Sequence, residues 1–315
     1  MAQHSSRKVI FAALVGNALI AVTKFAAAAL TGSSAMFREA IQSLVDTGNQ
    51  LLLLLGLRRA QRPADERHPF GYGREVYFWS FCVAILVFAV GAGLSLYEGV
   101  NRVIAPHPVE NPIINYVVLA VAMAFEAAAW WIAFVEFRKT KGDMGYVEAV
   151  RSSKDPTVFV VLFEDSAAMF GLMVAAVGLA LAEALDVPAL DGVASILIAL
   201  ILGVTAILLA YECKSLLIGE GARPALVEGV RRIVRAERGV IRANEVLTMH
   251  MGPSDVLVTL SLDFDPGLSS DQVEAAVSAI EQRLKAGFPE ITRVFVEAQS
   301  WAAHRRDARA SRPRD

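Results

Sequence analysis

Residues 39–57 read EAIQSLVDTGNQLLLLLGL, a polar segment that continues without a break into an apolar one. The whole stretch has the length of a membrane span, yet its first half carries Glu39, Gln42 and Asp46 where a lipid-facing helix would carry leucine or valine. A helix advances about 100° per residue, so these three side chains fall within about 60° of one another on one face. Asn49 extends the same stripe. Ionisable groups inside a span are costly and rare, so the stripe is a functional hypothesis by default.

The composition places the chain among membrane proteins. It has 315 residues, of which 55% are hydrophobic, and its mean hydropathy is +0.47. A spanning helix needs about 20 apolar residues. A net charge of −2 provides no basic field for nucleic acid, and Cys82 and Cys213 have no CxxC spacing that would indicate a thiolate metal site. The sequence predicts six spans, at 9–31, 34–57, 76–101, 112–136, 156–184 and 190–216.

Lysine and arginine are distributed unequally between the predicted loops. They concentrate at the N-terminus and in the segments 58–74 and 138–154, whereas the opposite loops hold little beyond Arg102. The positive-inside rule then predicts an integral membrane protein with both termini in the cytoplasm, which an even number of spans requires. We expect a bacterial inner membrane location. The basic N-terminus runs into a span too long for a signal peptide, so we interpret it as an uncleaved first helix.

The C-terminal third has the patterns of a small α+β domain. ARPALVEGVRRIVRAE and SSDQVEAAVSAIEQRL have helical spacing, and the second opens with a serine or aspartate cap. NEVLTMHM, DVLVTLSLDFD and ITRVFVEA are predicted strands, which gives the order α-β-β-α-β and a ferredoxin-like cytoplasmic domain. The predicted divisions are a transport domain at 1–218, a dimerisation domain at 219–300 and a disordered tail at 301–315.

A second pair of acidic residues, Glu164 and Asp165, lies near the middle of the fifth span. Facing the first stripe, these carboxylates would make an oxygen-rich site of the kind that divalent cations prefer. The competing interpretation for Glu39 is an ion pair with Lys24 of the first span. The remaining acidic residues lie nearer span ends and are interpreted as interfacial or, for Asp191, as a helix cap: Glu98, Glu126, Glu183, Asp191 and Glu212.

The loop after the second span reads PADERHPFGYGRE. Asp65 and His68 stand at i and i+3 and could bind a metal weakly, although such a pair is more often part of a solvated loop. Arg74 and Glu75 begin the third span, where a salt-bridge network on the cytoplasmic side could use them. Loop and coupling roles for Asp65, His68 and Arg74 therefore stay open.

Taken together, these features resemble the cation diffusion facilitator family. The resemblance rests on six spans, acidic stripes in spans two and five, the HPFGYG loop and the C-terminal α-β-β-α-β order, and it covers nearly the whole chain. The stretches KDPTVFVVLFEDSAAMFG and GYGREVYFWSF look most like the zinc transporter 9-type branch. The family implies a homodimer in which each subunit exchanges a divalent metal against protons by alternating access.

The resemblance also implies a set of metal ligands. The family's site has His or Asp followed by Asp four residues later in spans two and five, and these positions correspond to Gln42 and Asp46, and to Val161 and Asp165. Val161 cannot ligate, so Glu164 or Glu39 is expected to complete the shell. Two further family sites are expected to be weak or absent, because Tyr72 replaces a loop histidine and His250 is the one histidine that stands out in the C-terminal domain.

We therefore predict a metal efflux transporter and not an enzyme, with a divalent ion as substrate, no organic cofactor, and protons, lipid and a second copy of the chain as partners. Zinc is favoured by the resemblance, with manganese or another hard divalent ion as the alternative. The chain has no GxxxxGK[ST] phosphate loop, which leaves the proton gradient as the simplest energy source. The competing hypothesis is a non-transporting scaffold or regulatory member, because Gln42 and Val161 depart from the ligand pattern.

Overall fold

A computed structural model describes residues 2–31, 34–106, 112–141 and 144–310 of the chain. The chain divides into two compact units. The first comprises Met1–Arg62 and Arg74–Ser215, and the second comprises Pro63–Gly73 and Leu216–Asp315. The loop between the second and third predicted spans therefore groups with the C-terminal region, although the sequence had placed it within 1–218.

The first unit is a bundle of helices. One long helix, Glu75–Ile104, is interrupted by a π-helical segment at Val87–Ala92. The helices are α1 Ala2–Thr31, α2 Ser34–Ala60, α3 Glu75–Leu86, α4 Gly93–Ile104, α5 Pro112–Lys141, α6 Tyr146–Ser152, α7 Pro156–Ala184 and α8 Ala189–Ile218.

Five helical segments of the described residues are long and apolar enough to cross a membrane. They cover Ser6–Leu30, Glu75–Ile104, Ile113–Lys139, Pro156–Ala184 and Ala189–Ile218. Helix α2 has 27 residues but is not one of the five. The polar stripe lowers the mean hydropathy of α2. The residues that make this helix a functional candidate therefore also make it less apolar than the five segments.

Side-chain contacts at both ends of α1 and α2 show that the two helices are antiparallel. At one end Arg7 Nη2 donates to Gln61 Oε1 at 2.6 Å. At the other end Lys24 Nζ lies 3.6 Å from Glu39 Oε2. We call these the Arg7 end and the Lys24 end of the bundle. Helix α2 also contacts α3, and α5 contacts both α1 and α7.

Helix α7 begins at the Arg7 end with a complete N-cap. The Asp155 carboxylate accepts from the backbone N–H of Thr157 at 3.1 Å, and Pro156 occupies the first helical turn, where its missing N–H costs nothing. The same carboxylate also accepts from Ser6 Oγ at 2.5 Å and from Thr157 Oγ1 at 2.5 Å. Asp155 therefore caps one helix and ties it to another, which holds α1 and α7 together at this end.

Helices α4 and α8 approach closely near the Lys24 end because both have glycine at the contact. A Cβ atom on Gly99 would lie 2.8 Å from the backbone nitrogen of Ile196, and one on Gly192 would lie 2.8 Å from the Gly99 carbonyl oxygen. Small residues permit this kind of backbone approach between spanning helices. The consequence is a narrow crossing beside the mouth of the cavity described below.

The second unit has the element order α-β-β-α-β that the sequence predicts. Its elements are α9 Pro224–Arg235, β1 Val240–Gly252, β2 Asp255–Phe264, α10 Ser270–Gly287 and β3 Ile291–Ala298. The sheet order is β1-β2-β3, with β1 antiparallel and β3 parallel to β2. Ser269 and Gln272 form a capping box that begins α10.

Alternation along β2 determines which face of this sheet is buried. Val256, Val258, Leu260 and Leu262 are buried, and they pack against one stripe from each of α9 and α10. The apolar side chains that contribute from the two helices are Leu226, Val230, Val234, Ile280 and Leu284. Both helices therefore cover the same face of the sheet, as the sequence patterns predicted.

The segment after β3 differs from the prediction of a disordered tail. Residues Trp301–Ala310 form helix α11, and residues 311–315 lie outside the described residues. The Trp301 backbone N–H donates to the Asp263 carboxylate at 3.0 Å, and the Arg242 guanidinium lies 4.5 Å above the Trp301 ring. One aromatic anchor thus docks a helix whose composition, rich in arginine and alanine, had indicated disorder.

Candidate functional site

The first unit encloses a cavity of about 900 Å³ that contains most of the polar residues singled out in the sequence. Its walls come from α1, α2, the π-helix, α4, α5, α7 and α8. The lining residues run from the middle of the bundle, at Asn17 and Asp46, to the Lys24 end, at Ala105 and Pro188. The Arg7 end is closed instead by the Asp155 contacts and by a run of buried residues at 156–162. The cavity therefore opens toward the Lys24 end.

Four carboxylates from three helices lie at the inner part of this cavity. Asp46 comes from α2, Glu126 from α5, and Glu164 and Asp165 from α7. The structure thus brings Asp46, Glu164 and Asp165 to one cavity, together with Gln42 and Glu39 on the α2 wall. The fourth family position, Val161, is fully buried and does not line the cavity.

Glu164 is held in place by two amide side chains from α2. Asn49 Nδ2 donates to Glu164 Oε1 at 3.1 Å, and Gln50 Nε2 donates to Oε2 at 3.0 Å. All three residues are buried. Because each carboxylate oxygen already accepts a hydrogen bond, Glu164 has less freedom than its neighbour to wrap around an ion.

Asp165 is the most deeply buried of the four carboxylates, at 1% exposure. Its Oδ2 atom has no hydrogen-bond partner among the described residues. A buried carboxylate oxygen without a donor is costly, so its retention points to a cation or a proton that it binds during function. The chemistry of this atom fits the ligand role that the family resemblance implies.

Glu39 and Gln42 occupy different situations on the wall of the cavity. Glu39 is ion-paired with Lys24 at 3.6 Å, which is the interpretation that competed with metal ligation in the sequence. Its side chain is 41% exposed, against 13% for Lys24. Gln42 lines the cavity one turn from Asp46, where its amide oxygen could serve as a neutral metal ligand.

Glu126 is the residue that sequence reasoning missed. Interpreted as interfacial, it is in fact 4% exposed and lines the cavity among the other carboxylates. A signal was present in the sequence, because Glu126 stands at the midpoint of the span Ile113–Lys139. Even in the predicted span 112–136 this residue lies ten residues from the nearer end, so the sequence itself argued against the interfacial interpretation.

A pair of opposite charges lies at the mouth of the cavity. Arg102 at the end of α4 forms an ion pair with Asp191 at the start of α8. Both residues line the cavity together with Glu98. Asp191 was interpreted as a helix cap, and its carboxylate instead links the two helices whose glycines make the close crossing.

The carboxylates share a cavity without forming a ready-made chelate. Among the described residues, no group of three or more His, Cys, Asp or Glu side chains is close enough together to hold a metal ion directly. A concentration of negative charge in a water-accessible space instead attracts cations through the focused field. The arrangement suits an ion that enters with part of its hydration shell, and a change in helix positions would be needed to complete a tighter site.

The loop residues Asp65 and His68 form a turn in the second unit. Tyr72 Oη donates to Asp65 Oδ2 at 2.6 Å, and the His68 backbone N–H donates to Oδ1 at 2.7 Å. These hydrogen bonds, the one from Tyr72 foremost, lower the pKa of Asp65. His68 Nδ1 lies 3.5 Å from Oδ1, and its ring packs on Tyr72 with centroids 4.3 Å apart. The Asp65 carboxylate is thus already engaged in hydrogen bonds within this turn.

Arg74 and Glu75, for which the sequence suggested a salt-bridge network, make different kinds of contact. The Arg74 carbonyl oxygen accepts from the backbone N–H groups of Tyr77 and Phe78 and so begins α3. Glu75 pairs with Arg59 of α2 at 3.9 Å and accepts from Trp79 Nε1 at 2.7 Å. The predicted network therefore runs through Glu75 and Arg59, where the loop leaves α2 and enters α3.

Comparison with known proteins identifies the family. The model of the cation efflux transmembrane domain matches residues 10–218, well over half of the chain. The chain belongs to the cation efflux family. This is a family of transporters and not of enzymes, and the matched domain is a transmembrane one, so the cavity lies in an integral membrane protein with several transmembrane helices.

Several curated members of the cation efflux family are similar to the chain. The mitochondrial proton-coupled zinc antiporter SLC30A9 of Xenopus laevis is 34% identical over 260 residues, and the human protein is 33% identical over 261 residues. These alignments cover 82% of the chain but 46% of the relatives, so the chain spans about half of their length. The cation-efflux pump FieF of Cronobacter sakazakii is 28% identical, with 90% of the chain and 89% of the relative covered.

Proposed function

We propose that the protein is a divalent metal cation efflux transporter, with the cavity as its binding site and α2 as a sixth membrane span. The observation that carries the proposal is Asp165, a buried carboxylate that lines the acidic cavity and whose Oδ2 atom has no hydrogen-bond donor among the described residues. Helix α2 is long enough to span and presents its polar stripe to this cavity and not to lipid.

Asp46 and Asp165 are the proposed metal ligands, with Gln42 contributing a neutral oxygen. Glu164 contributes charge from a fixed position, and Glu39 remains with Lys24 until a cation displaces the ammonium group. Zinc is the proposed substrate because the relatives SLC30A9 are named zinc antiporters. An all-oxygen site also suits manganese, which makes it the alternative cargo.

Proton antiport is the proposed energy source. Several carboxylates in one cavity repel one another when ionised, and protons relieve this repulsion when the metal leaves. Metal binding requires the ligands to be deprotonated, so binding of the metal and binding of protons oppose each other. The name of the relatives SLC30A9 includes proton coupling, which agrees with this chemistry.

The arrangement in the cell is also part of the proposal. The lysine and arginine bias supports a cytoplasmic location for both termini, and the proposed location is a bacterial inner membrane. The second unit, with a ferredoxin-like order of elements, is the proposed dimerisation domain of a homodimer. Exposed apolar side chains on the sheet face opposite its helices, Leu247 and Phe295, agree with such a role.

Transport by purified protein in proteoliposomes tests the function. A metal-sensitive dye inside the vesicles reports uptake under an imposed pH gradient. We expect Asp46→Asn and Asp165→Asn to lower the initial rate by about tenfold or more, because each removes a charged ligand. The control is Asp186→Asn, since Asp186 is exposed in a loop and its left-handed backbone suits asparagine. Wild-type rates in both site variants would overturn the assignment.

A non-transporting scaffold or regulatory member is the second candidate. Val161 cannot ligate, and the described residues include no ready-made group of three metal-binding side chains. Calorimetry separates the candidates: a transporter binds zinc or manganese and loses that binding in Asp165→Asn, whereas a scaffold shows no binding in either protein.

A further inference from the structure

We propose that Glu126 on α5 is a third cargo-binding carboxylate, which holds the cation through bridging water from the wall opposite α2. The inference rests on the proposed transport function and goes beyond it. It adds a helix to the site and specifies that the cavity takes a partly hydrated divalent ion. Three features of Glu126 support this role: its burial, its lack of a hydrogen-bond partner among the described residues, and its position on the cavity wall.

Burial of Glu126 leaves its carboxylate facing the cavity. The residue is 4% exposed, and no described residue gives it a hydrogen bond or an ion pair. The helix is fixed at this level because α5 packs closely on α1. A Cβ on Gly16 would lie 3.5 Å from Ala129 Cβ and 3.6 Å from the Phe125 carbonyl oxygen. These contacts pack the backbone of α5 against α1 next to the cavity wall that Glu126 lines.

A second observation points to a ligand in the same place. Asp165, on the neighbouring helix α7, is 1% exposed, lines the same cavity and has a carboxylate oxygen without a donor among the described residues. Glu164 beside it already has both oxygens engaged by Asn49 and Gln50. The carboxylates that have no hydrogen bond to described residues, and so can take a cation, are then Asp46 on α2, Glu126 on α5 and Asp165 on α7.

Water is what joins these three side chains to one ion. They are not close enough together to chelate a metal directly, yet they line one cavity of about 900 Å³. Hard divalent cations lose their waters reluctantly and are bound by few carboxylates together with several waters. Glu126 therefore accepts hydrogen bonds from the waters of the ion. From α5 it also supplies a negative charge that Val161 on α7 cannot supply.

Charged groups around Glu126 make this role selective. Asp46 and Lys24 interact with it electrostatically, Asp46 from α2 and Lys24 from α1. A monovalent cation would gain less than a divalent one by replacing the Lys24 ammonium among these carboxylates. Glu126 therefore increases preference for divalent over monovalent ions and for hydrated hard ions over zinc.

The experiment measures affinity and selectivity in the purified full-length protein. Manganese and zinc are titrated separately into wild type, Glu126→Gln and Glu126→Asp. Loss of a water-bridging partner typically lowers metal affinity 10–100-fold, so we expect about a tenfold weaker manganese affinity in Glu126→Gln and a smaller change for zinc. Glu126→Asp retains the charge and should recover part of the manganese affinity. The matched control, Glu136→Gln, changes the same residue type on the same helix, where Glu136 pairs with Lys139.

Different outcomes separate this inference from the proposed function. If wild type binds both metals and Asp165→Asn does not, while Glu126→Gln equals wild type for both, Glu126 has no cargo role and the inference is overturned. If wild type binds neither metal, the proposed function itself fails. A merely structural role for Glu126 would weaken manganese and zinc equally and lower the melting temperature, which also contradicts the proposal.

Discussion

Gln42 is the residue at which this chain departs most informatively from the ligand pattern of its family. It lines the cavity one helical turn from Asp46, with an amide where a titratable ligand is expected. An amide oxygen is a neutral, hard ligand, whereas imidazole is well suited to zinc. In the proposed site, Gln42 would therefore favour oxygen-preferring cations, and it removes one group that could exchange a proton.

Replacement of Gln42 by histidine should change the metal preference. We expect Gln42→His to raise the ratio of zinc to manganese affinity by about tenfold, the effect of roughly 1.4 kcal/mol from one better-matched ligand. Competition titrations of the purified protein with both metals measure this ratio. Gln42→Asn is the matched control, since it keeps an amide, and an unchanged ratio in Gln42→His would show that residue 42 does not reach the cargo.

Single residues also show where the sequence sufficed and where it did not. Asp46 and Asp165 were predicted to share a site because a charge in the middle of a span has few explanations, and the structure brings both to the wall of one cavity. The pairing of Glu39 with Lys24 was one of two open interpretations, and only coordinates could decide between them. Glu126 was wrongly interpreted as interfacial, although it lies close to the middle of the predicted span 112–136. The amide clamp on Glu164 depends on how α2 and α7 pack, which periodicity within one helix does not contain.

At the scale of elements, the span Glu75–Ile104 is not a uniform helix. Its π-helical segment, Val87–Ala92, lies where Val87 and Gly91 line the cavity. A π-turn inserts one residue into the α-helical hydrogen-bond pattern, and such turns are frequent at functional sites. Nothing in the apolar sequence VFAVGA distinguishes it from an ordinary helix, so this feature was beyond prediction. The α-β-β-α-β order was predictable because the strand and helix periods differ clearly.

Asp155 caps α7 and accepts a hydrogen bond from α1, so its replacement should lower the stability of the protein. Asp155→Ala removes the N-cap of α7 together with the acceptor for Ser6 and should lower the free energy of unfolding by about 1 kcal/mol, the usual cost of a lost cap. Denaturant unfolding of the full-length protein in mixed micelles measures the change. Asp155→Asn keeps an acceptor oxygen and should lose less. Equal stability of wild type and Asp155→Ala would mean that the cap is not needed.

At the scale of the transmembrane unit, the cavity makes the two ends of the bundle unequal. The Lys24 end is accessible through the mouth beside Arg102 and Asp191. The Arg7 end is closed by the Asp155 contacts. Under the proposed topology, with both termini in the cytoplasm, the positive-inside rule predicts that the Lys24 end lies on the outer side of the membrane. On that proposal the structure corresponds to the outward-open state of the proposed exporter.

Cysteine labelling tests this asymmetry directly. In a background with Cys82→Ser and Cys213→Ala, we expect Ala175→Cys, on the cavity wall, to react at least about tenfold faster with an impermeant thiol reagent than Val160→Cys, because only a hydrated thiolate reacts readily. The reagent is added to intact cells, and manganese at saturating concentration should slow the reaction of Ala168→Cys, which lies deeper in the same wall. Labelling of Ala175→Cys only in inverted vesicles would reverse the proposed orientation. Equal rates at positions 175 and 160 would mean that the Arg7 end opens as readily as the other.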